Sequence, residues 1–250
     1  MSAHLELNDV SVSFNGFKAV NGLSLAVEKG ELRCLIGPNG AGKTTALDLI
    51  CGKTVPTSGS IRFKGAEVSK LDDYQIARCG VGRKFQVPSV FRQLTVRQNL
   101  EVAYCKRNGV MANLFRWARS ADSDGLDKLA EFVGLSDALD VPAGHLSHGQ
   151  TQWLEIALLL AQDAELILLD EPTAGMTAQE TQKTADICNR LKGKHTIIVV
   201  EHDMGFVKAI GDIISVMHQG KLLAEGPVAE VENNPKVKQV YLGSVGISSA

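Results

Sequence analysis

No apolar stretch of this chain approaches the roughly 18 residues that a bilayer-spanning helix needs. The start, Met1-Ser2-Ala3-His4-Leu5-Glu6, lacks the basic opening and apolar core of a secretory leader, so export by that route is not expected. The five cysteines are odd in number, scattered and never in C-x-x-C spacing, which excludes a dense disulfide scaffold and the usual zinc spacing and fits a reducing compartment. Aromatics make up only 5% and are not interleaved with basic residues, so a base-stacking nucleic-acid surface is not expected. A formal net charge of -2 argues in the same direction, because binding a phosphate backbone demands excess positive charge. There is no internal repeat and no low-complexity segment. What is present is a chain of 250 residues, 44% hydrophobic and 22% charged, ample for one large globular domain or two intimate subdomains.

Hydrophobic patterning divides the chain into recognisable elements. Residues 5–27 hold two β-rich stretches around Asn15-Gly16, and Leu32-Arg33-Cys34-Leu35-Ile36 is a short strand that runs straight into a glycine-rich loop. A helix is expected from about Lys43, then a strand over 59–63, a helix over 71–78, and a strand over 81–85 that ends at Gln86. From 87 to 162 the pattern is mostly helical. Strands return at 165–170 and 195–200, with a helix at 178–191 between them, an order that implies parallel pairing. A last apolar run, 213–217, leads through Gln219-Gly220 to Lys221-Leu222-Leu223-Ala224 and predicts a terminal hairpin.

Gly37-Pro38-Asn39-Gly40-Ala41-Gly42-Lys43-Thr44 fits the phosphate-binding pattern G-x-x-x-x-G-K-[S/T]. Glycines let successive N–H groups converge on phosphate, and the following helix adds its positive end. Lys43 supplies a point charge for the β and γ phosphates, and Thr44 offers a hydroxyl to Mg²⁺, with Asp170 on its other side. The apolar run 166–169 sets Asp170 and Glu171 at the carboxyl end of a strand, where open α/β sheets form their crevices. Glu171 is thereby placed to orient and deprotonate the attacking water. His202 follows the next parallel strand and should reach the same crevice, and Gln86 ends a strand at the switch into the helical region. Ser147 can cap, and Gly149 open, a helix whose N-terminus presents N–H groups to an anion.

Taken together, these residues resemble the nucleotide-binding subunit of ABC transporters, in the right order over nearly the whole chain. The resemblance implies an α/β fold: a P-loop ATPase core with a mostly parallel sheet, an N-terminal antiparallel β subdomain and an inserted α-helical subdomain. It implies one ABC ATP-binding domain over 1–250, with core at 1–86 and 163–225, helical subdomain at 87–162 and a tail at 226–250. By the same resemblance Phe14 stacks on adenine, Gly37 to Thr45 cradle the phosphates (Thr45 included), and Gln86 senses Mg²⁺ and water. Leu146-Ser147-His148-Gly149-Gln150 is then the signature that reaches the γ phosphate of ATP held by an opposite subunit, Asp170 and Glu171 carry metal and base, and His202 is the switch histidine. ATP and Mg²⁺ are the implied ligands. Two departures stand out: His148 replaces the usual glycine, either filling space or adding a pH-sensitive contact, and Thr177 in Ala174-Gly175-Met176-Thr177 replaces the usual aspartate.

Within the family the chain is most similar to importer subunits for urea and branched-chain amino acids, through Gly82-Arg83-Lys84-Phe85-Gln86-Val87-Pro88, the signature, and the tail Val240-Tyr241-Leu242-Gly243. His148 followed by Trp153-Leu154-Glu155-Ile156 favours urea, with branched-chain amino acids as the alternative. Lipid or lipopolysaccharide export is a further alternative, and so is a soluble ABC ATPase of DNA repair or translation, although neither a coiled-coil insert nor a second cassette is present. The resemblance implies a second ATP-binding subunit, identical or related, transmembrane permease subunits, indirectly a periplasmic or extracellular solute-binding protein, and no nucleic acid. The expected place is cytoplasmic, peripheral on the inner face of the cell membrane. Between Arg78 and Arg119 nine basic residues stand against one acid, Glu101, which suggests a solvated basic face or one meeting anionic lipid or acidic loops. The apolar run 87–91 is a candidate dock for a membrane partner, and Val110, Leu114 and Trp117 fall at helical spacing.

Overall fold

The computed structural model describes residues 3–84, 90–107 and 123–245. Two sheets share the work. The first, in the order β2-β1-β4-β5, is antiparallel and joins β1 (Leu5–Phe14), β2 (Phe17–Val27), β4 (Ser58–Phe63) and β5 (Ala66–Glu67). The second, in the order β10-β9-β3-β8-β7-β6, joins β3 (Leu32–Ile36), β6 (Val81–Lys84), β7 (Leu166–Asp170), β8 (Thr196–Val200), β9 (Ile213–His218) and β10 (Lys221–Pro227). All its pairings are parallel except that of β10 with β9.

The parallel strands β3, β7 and β8 are buried at every position, as unbroken apolar runs covered on both faces should be. In β1 and β2 buried and exposed positions mix, because one face of that sheet meets water. Each two-residue hairpin turn has both central residues at positive φ: Asn15 and Gly16, Lys64 and Gly65, Gln219 and Gly220. That is the geometry whose twist matches the flanking strands. The sequence reading caught the first and third of these turns but not the second, because lysine is not a turn signal.

Helices α1 (Lys43–Ile50), α2 (Asp73–Arg78), α3 (Val96–Arg107), α4 (Ser123–Val133), α5 (His148–Ala161), α6 (Ala178–Leu191), α7 (Met204–Ile210), α8 (Val228–Asn233) and α9 (Pro235–Val245) complete the described chain. Two apolar cores result. One lies between the antiparallel sheet, α1 and one face of the parallel sheet, with Leu5, Leu47, Phe63 and Leu168 inside. The other lies on the opposite face and gathers α3 to α7, with Leu100, Leu126, Trp153, Leu154, Ile187 and Phe206. Mixed α/β architecture with one antiparallel and one mostly parallel sheet agrees with the expected fold class. Gln86 and residues 110, 114 and 117 lie outside the described residues, as do 85 and, of the apolar run, 87–89.

Arg83 and Lys84, expected on the basic face, are instead buried, at 9% and 3% exposure. Their strand, β6, packs against α5 and α2, so neither cation belongs to a solvated basic face, although both border the groove on its flank.

Candidate functional site

The register of the parallel sheet decides what meets what. Leu35 lies beside Val200, and Val200 beside Asp170, while Leu169 lies beside Lys84. The carboxyl ends of β3, β8, β7 and β6 therefore form one edge, and the segments leaving them carry the phosphate loop, Glu201-His202, Asp170-Glu171 and Arg83-Lys84. Ligands of open α/β sheets bind at such an edge.

In the phosphate loop Lys43 Nζ donates to the carbonyl oxygens of Gly37 (2.9 Å) and Pro38 (3.1 Å). Burial lowers its pKa, and the nearby Glu171 and Asp170 offset part of that effect. The glycines prove necessary for two reasons. Gly40 has φ +77 with open space around its missing Cβ, so backbone conformation alone calls for glycine there. At Gly37 and Gly42 a Cβ would also lie 2.2 Å from Met217 O and 2.4 Å from Ala19 O. The loop is thus clamped by backbone from both hairpins, and Gly220 N donates to Ala41 O (3.0 Å) to close the clamp. Pro38, Asn39 and Gly40 remain at the open side. Thr44 and Thr45, in the first turn of α1, are half-buried.

Thr44 Oγ1 donates to Asp170 Oδ1 at 3.4 Å, and Asp170 is 1% exposed. The second oxygen of Asp170 is held by Arg83 Nη2 (3.2 Å), whose Nη1 bonds Asp48 Oδ1 (2.5 Å) and Cys51 Sγ (3.4 Å). Burial alone would lower the guanidinium pKa, but Cys51 and Asp48 more than compensate and it is raised. Arg83 thereby aims Asp170 at Thr44. Nothing in the local sequence reveals this, because its acid partners lie 35 and 87 residues away.

Glu171 adopts φ +46, a left-handed conformation uncommon for a residue with a side chain, and its N–H donates to Val200 O (2.9 Å). The bend lifts its carboxylate off the strand, so that Oε1 lies 3.8 Å from His202 Nδ1. His202 is 65% exposed in its side chain and also stands 3.7 Å from Glu201 Oε2. Glu201, at 1% exposure, accepts from Thr173 Oγ1 (2.5 Å), Thr173 N (3.2 Å), His202 N (2.9 Å) and Asp203 N (3.4 Å). One buried carboxylate therefore organises both loops that carry Glu171 and His202. The sequence gives no sign of this role, because the Thr173 that fixes it lies 28 residues away.

Phe14 ends β1 with 48% exposure, and Phe17, paired directly across the turn, is 67% exposed. Two solvent-facing phenyls at one hairpin tip are unusual for a soluble surface. Phe17 is a second stacking candidate that the sequence reading passed over.

Ser147 and Gln150 meet each other first. Ser147 Oγ accepts from Gln150 N (3.2 Å), while Gln150 Oε1 accepts from Ser147 N (2.9 Å), a reciprocal cap on α5. His148 Nε2 stands 2.9 Å from Ala174 O and 3.4 Å from Gln152 Nε2, so this ring binds the turn before α6. Gly149 is buried at the second position of the helix. Among the described residues no hydrogen bond or ion pair joins this group to the phosphate loop. The structure brings the loop, Asp170, Glu171 and His202 together and leaves Ser147 to Gln150 as a separate cluster.

Three comparisons bear on these geometries. A family model described as ABC transporter matches residues 20–174, and one described as branched-chain amino acid ATP-binding cassette transporter matches residues 221–246. The high-affinity branched-chain amino acid transport ATP-binding protein LivG of Salmonella typhimurium is 39% identical over 248 residues, covering 96% of this chain and 97% of its own length. BraF of Pseudomonas aeruginosa, also described as a high-affinity branched-chain amino acid transport ATP-binding protein, is 37% identical over the same shares. The crystal structure of the ADP conformation of MJ1267, an ATP-binding cassette of an ABC transporter, superposes with a TM-score of 0.84 at 29% identity, covering 97% of this chain and 100% of that one.

Proposed function

The chain belongs to the ABC transporter family of ATP-binding domains, and from that membership we propose that it is the ATP-hydrolysing subunit of an importer for a branched-chain amino acid. It is an ATPase whose turnover is coupled to transport. The sequence reading put urea first and branched-chain amino acids second. The named relatives and the matched tail at 221–246 favour the second, and this tail match is the observation that carries the choice of solute. No observation favours lipid export or a role in DNA repair or translation.

The residues fit an ATP site. Lys43 exchanges its loop carbonyls for the β and γ phosphates, and the N–H groups of 37–45 converge on the same oxygens. The fit to Mg²⁺ rests on an all-oxygen donor set: the Thr44 hydroxyl beside Asp170, whose second oxygen is already taken by Arg83. Among the described residues no cluster of three metal-ligating side chains exists, which suits an ion that takes most of its ligands from phosphate and water. When bound, Mg²⁺ supplies charge neutralisation at the β and γ oxygens. Glu171 orients the water for in-line attack and accepts its proton, and His202 contacts the transferring phosphoryl group. Gln86, outside the described residues, is assigned with them to sensing water and metal. Phe14 stacks on the base.

The signature group, Ser147 to Gln150, completes the second half of a site whose first half lies on another copy or a related cassette, so two ATP molecules close a dimer. A groove of about 630 Å³ lined by Cys51, Tyr74, Lys84, Phe91, Val102 and Leu159 lies on the flank of β6, away from the phosphate loop. It suits the docking of a permease segment, and it takes in Phe91, the exposed end of the apolar run. A solute-binding protein acts through that permease. Among the described residues no helix is long and apolar enough to cross a membrane, which suits peripheral attachment at the cytoplasmic face. The division into core (1–86, 163–225), helical subdomain (87–162) and tail (226–250) belongs to this reading.

The test is ATPase turnover of the complex reconstituted with its permease and solute-binding protein. Leucine, isoleucine or valine should stimulate turnover, while urea should not. Stimulation by urea alone would overturn the assignment of solute.

A further inference from the structure

The helix that carries the signature already holds an anion, and that anion belongs to the same chain. Glu180, in the first turn of α6, turns Oε1 toward α5, where the Ser147 hydroxyl donates to it at 3.3 Å and the Gly149 backbone lies against the same carboxylate. Its other oxygen, Oε2, accepts from Thr177 N (2.9 Å) and Thr177 Oγ1 (3.0 Å). The approach to α5 is so close that a Cβ on Gly149 would stand 2.4 Å from Oε1. Gly149 does not have a positive φ. A side chain at 149 would therefore meet the Glu180 carboxylate before any backbone, and the glycine leaves that carboxylate its place.

We propose that Glu180 is an internal competitor for the signature, a carboxylate seated at the helix start that a phosphate of ATP on a second copy must take before the dimer can close. This rests on the composite-site reading given above. Two anions cannot share the Ser147 hydroxyl and the place beside Gly149, because the hydroxyl has one proton and the charges repel at hydrogen-bonding distance. Closure thus requires Oε1 to rotate away while Oε2 stays on Thr177, which leaves the cap of α6 intact. Thr177 has its own explanation in this arrangement. The threonine hydroxyl adds a second donor to the backbone N–H on Glu180, whereas an aspartate at 177 would offer no such proton and would face the carboxylate with like charge.

The experiment is an ATP titration of dimer formation by light scattering, in a Glu171→Gln chain that retains bound ATP. Glu180→Gln is added to that background because glutamine can still cap Thr177 but carries no charge to compete for the signature. The expected result is an ATP midpoint for dimerisation about tenfold lower in the double variant, with unchanged affinity of the monomer for a fluorescent ATP analogue. A merely structural role in α6 would not move one without the other. Thermal unfolding of both chains checks that they fold equally, and Glu180→Ala provides a second competitor-free chain should glutamine find a new partner. If both chains dimerise at the same ATP concentration, the competitor role is overturned and the composite site stands. If neither dimerises at any ATP concentration, the competitor role is overturned together with pairing of two copies of this chain.

Discussion

Glu171 shows how much the backbone contributes to a single catalytic candidate. Its left-handed φ of +46 and its N–H bond to Val200 point the carboxylate into the crevice instead of along the strand. A substitution that preserves shape should therefore preserve binding. Glu171→Gln is expected to bind ATP as before and to lose turnover by about two to three orders of magnitude, the usual loss for a key acid-base or electrostatic group. Steady-state phosphate release beside nucleotide affinity measures both, and near-normal release would remove the base assignment. Around this residue the sequence brings out the candidates but not their supports. Asp170, Glu171 and His202 were legible because each follows an apolar strand. Arg83 and Glu201 were not, because what makes them important is a partner folded in from 28 to 87 residues away.

At the scale of elements, α5 and α6 are fastened along one seam. Glu180, Lys183 and Thr184 stand on the same face of α6 at i, i+3 and i+4. They meet Ser147, the face of the Trp153 ring (Lys183 Nζ at 3.8 Å from its centroid) and Trp153 Nε1, which donates to Thr184 Oγ1 at 3.0 Å. Trp153→Phe removes the donor and shrinks a nearly buried ring, while Thr184 keeps its own bond to Glu180 O. The expected cost is about 2 kcal/mol, read by calorimetry as a Tm lower by roughly 4–8 °C. An unchanged Tm would mean the seam contributes little. The helices and strands themselves were well marked in the sequence: 178–191 falls on α6, and the predicted terminal hairpin falls on β9 and β10. The buried strand β6 was placed correctly too, yet its Arg83 and Lys84 misled, since a charge run gives no sign of which side chains turn inward.

At the scale of the whole molecule, the two sheets are stitched by a histidine. His4, at the start of the antiparallel sheet, places Nδ1 2.6 Å from Thr196 Oγ1 on the parallel sheet. Its Nε2 is buried without a hydrogen bond, 3.9 Å from Glu165 Oε2, which in turn pairs with Lys64. Burial lowers the His4 pKa below 6.5; Glu165 opposes that shift, and Lys29 and Lys64 add to it. The folded chain therefore resists a proton that the unfolded chain accepts, so this residue costs stability as pH falls below about 6.5, until the folded pKa is reached. His4→Gln should keep a hydrogen-bonding group for Thr196 and flatten the dependence. Urea midpoints at pH 7.5 and 5.5 should differ less in the variant than in the parent. Equal differences would place the acid sensitivity elsewhere.

The clamp on the phosphate loop has a consequence for how the protein comes into being. Ala19, Gly37, Gly42, Met217 and Gly220 meet at one point although the last of them lies some two hundred residues after the first. Synthesis proceeds from the N-terminus, so a ribosome exposes the loop long before it exposes the carbonyl of Met217 that shapes it. A half-made chain carries the phosphate-binding sequence without the wall that holds it in form. The phosphate loop then reaches its clamped form only once residues 217–220 have emerged and folded against it.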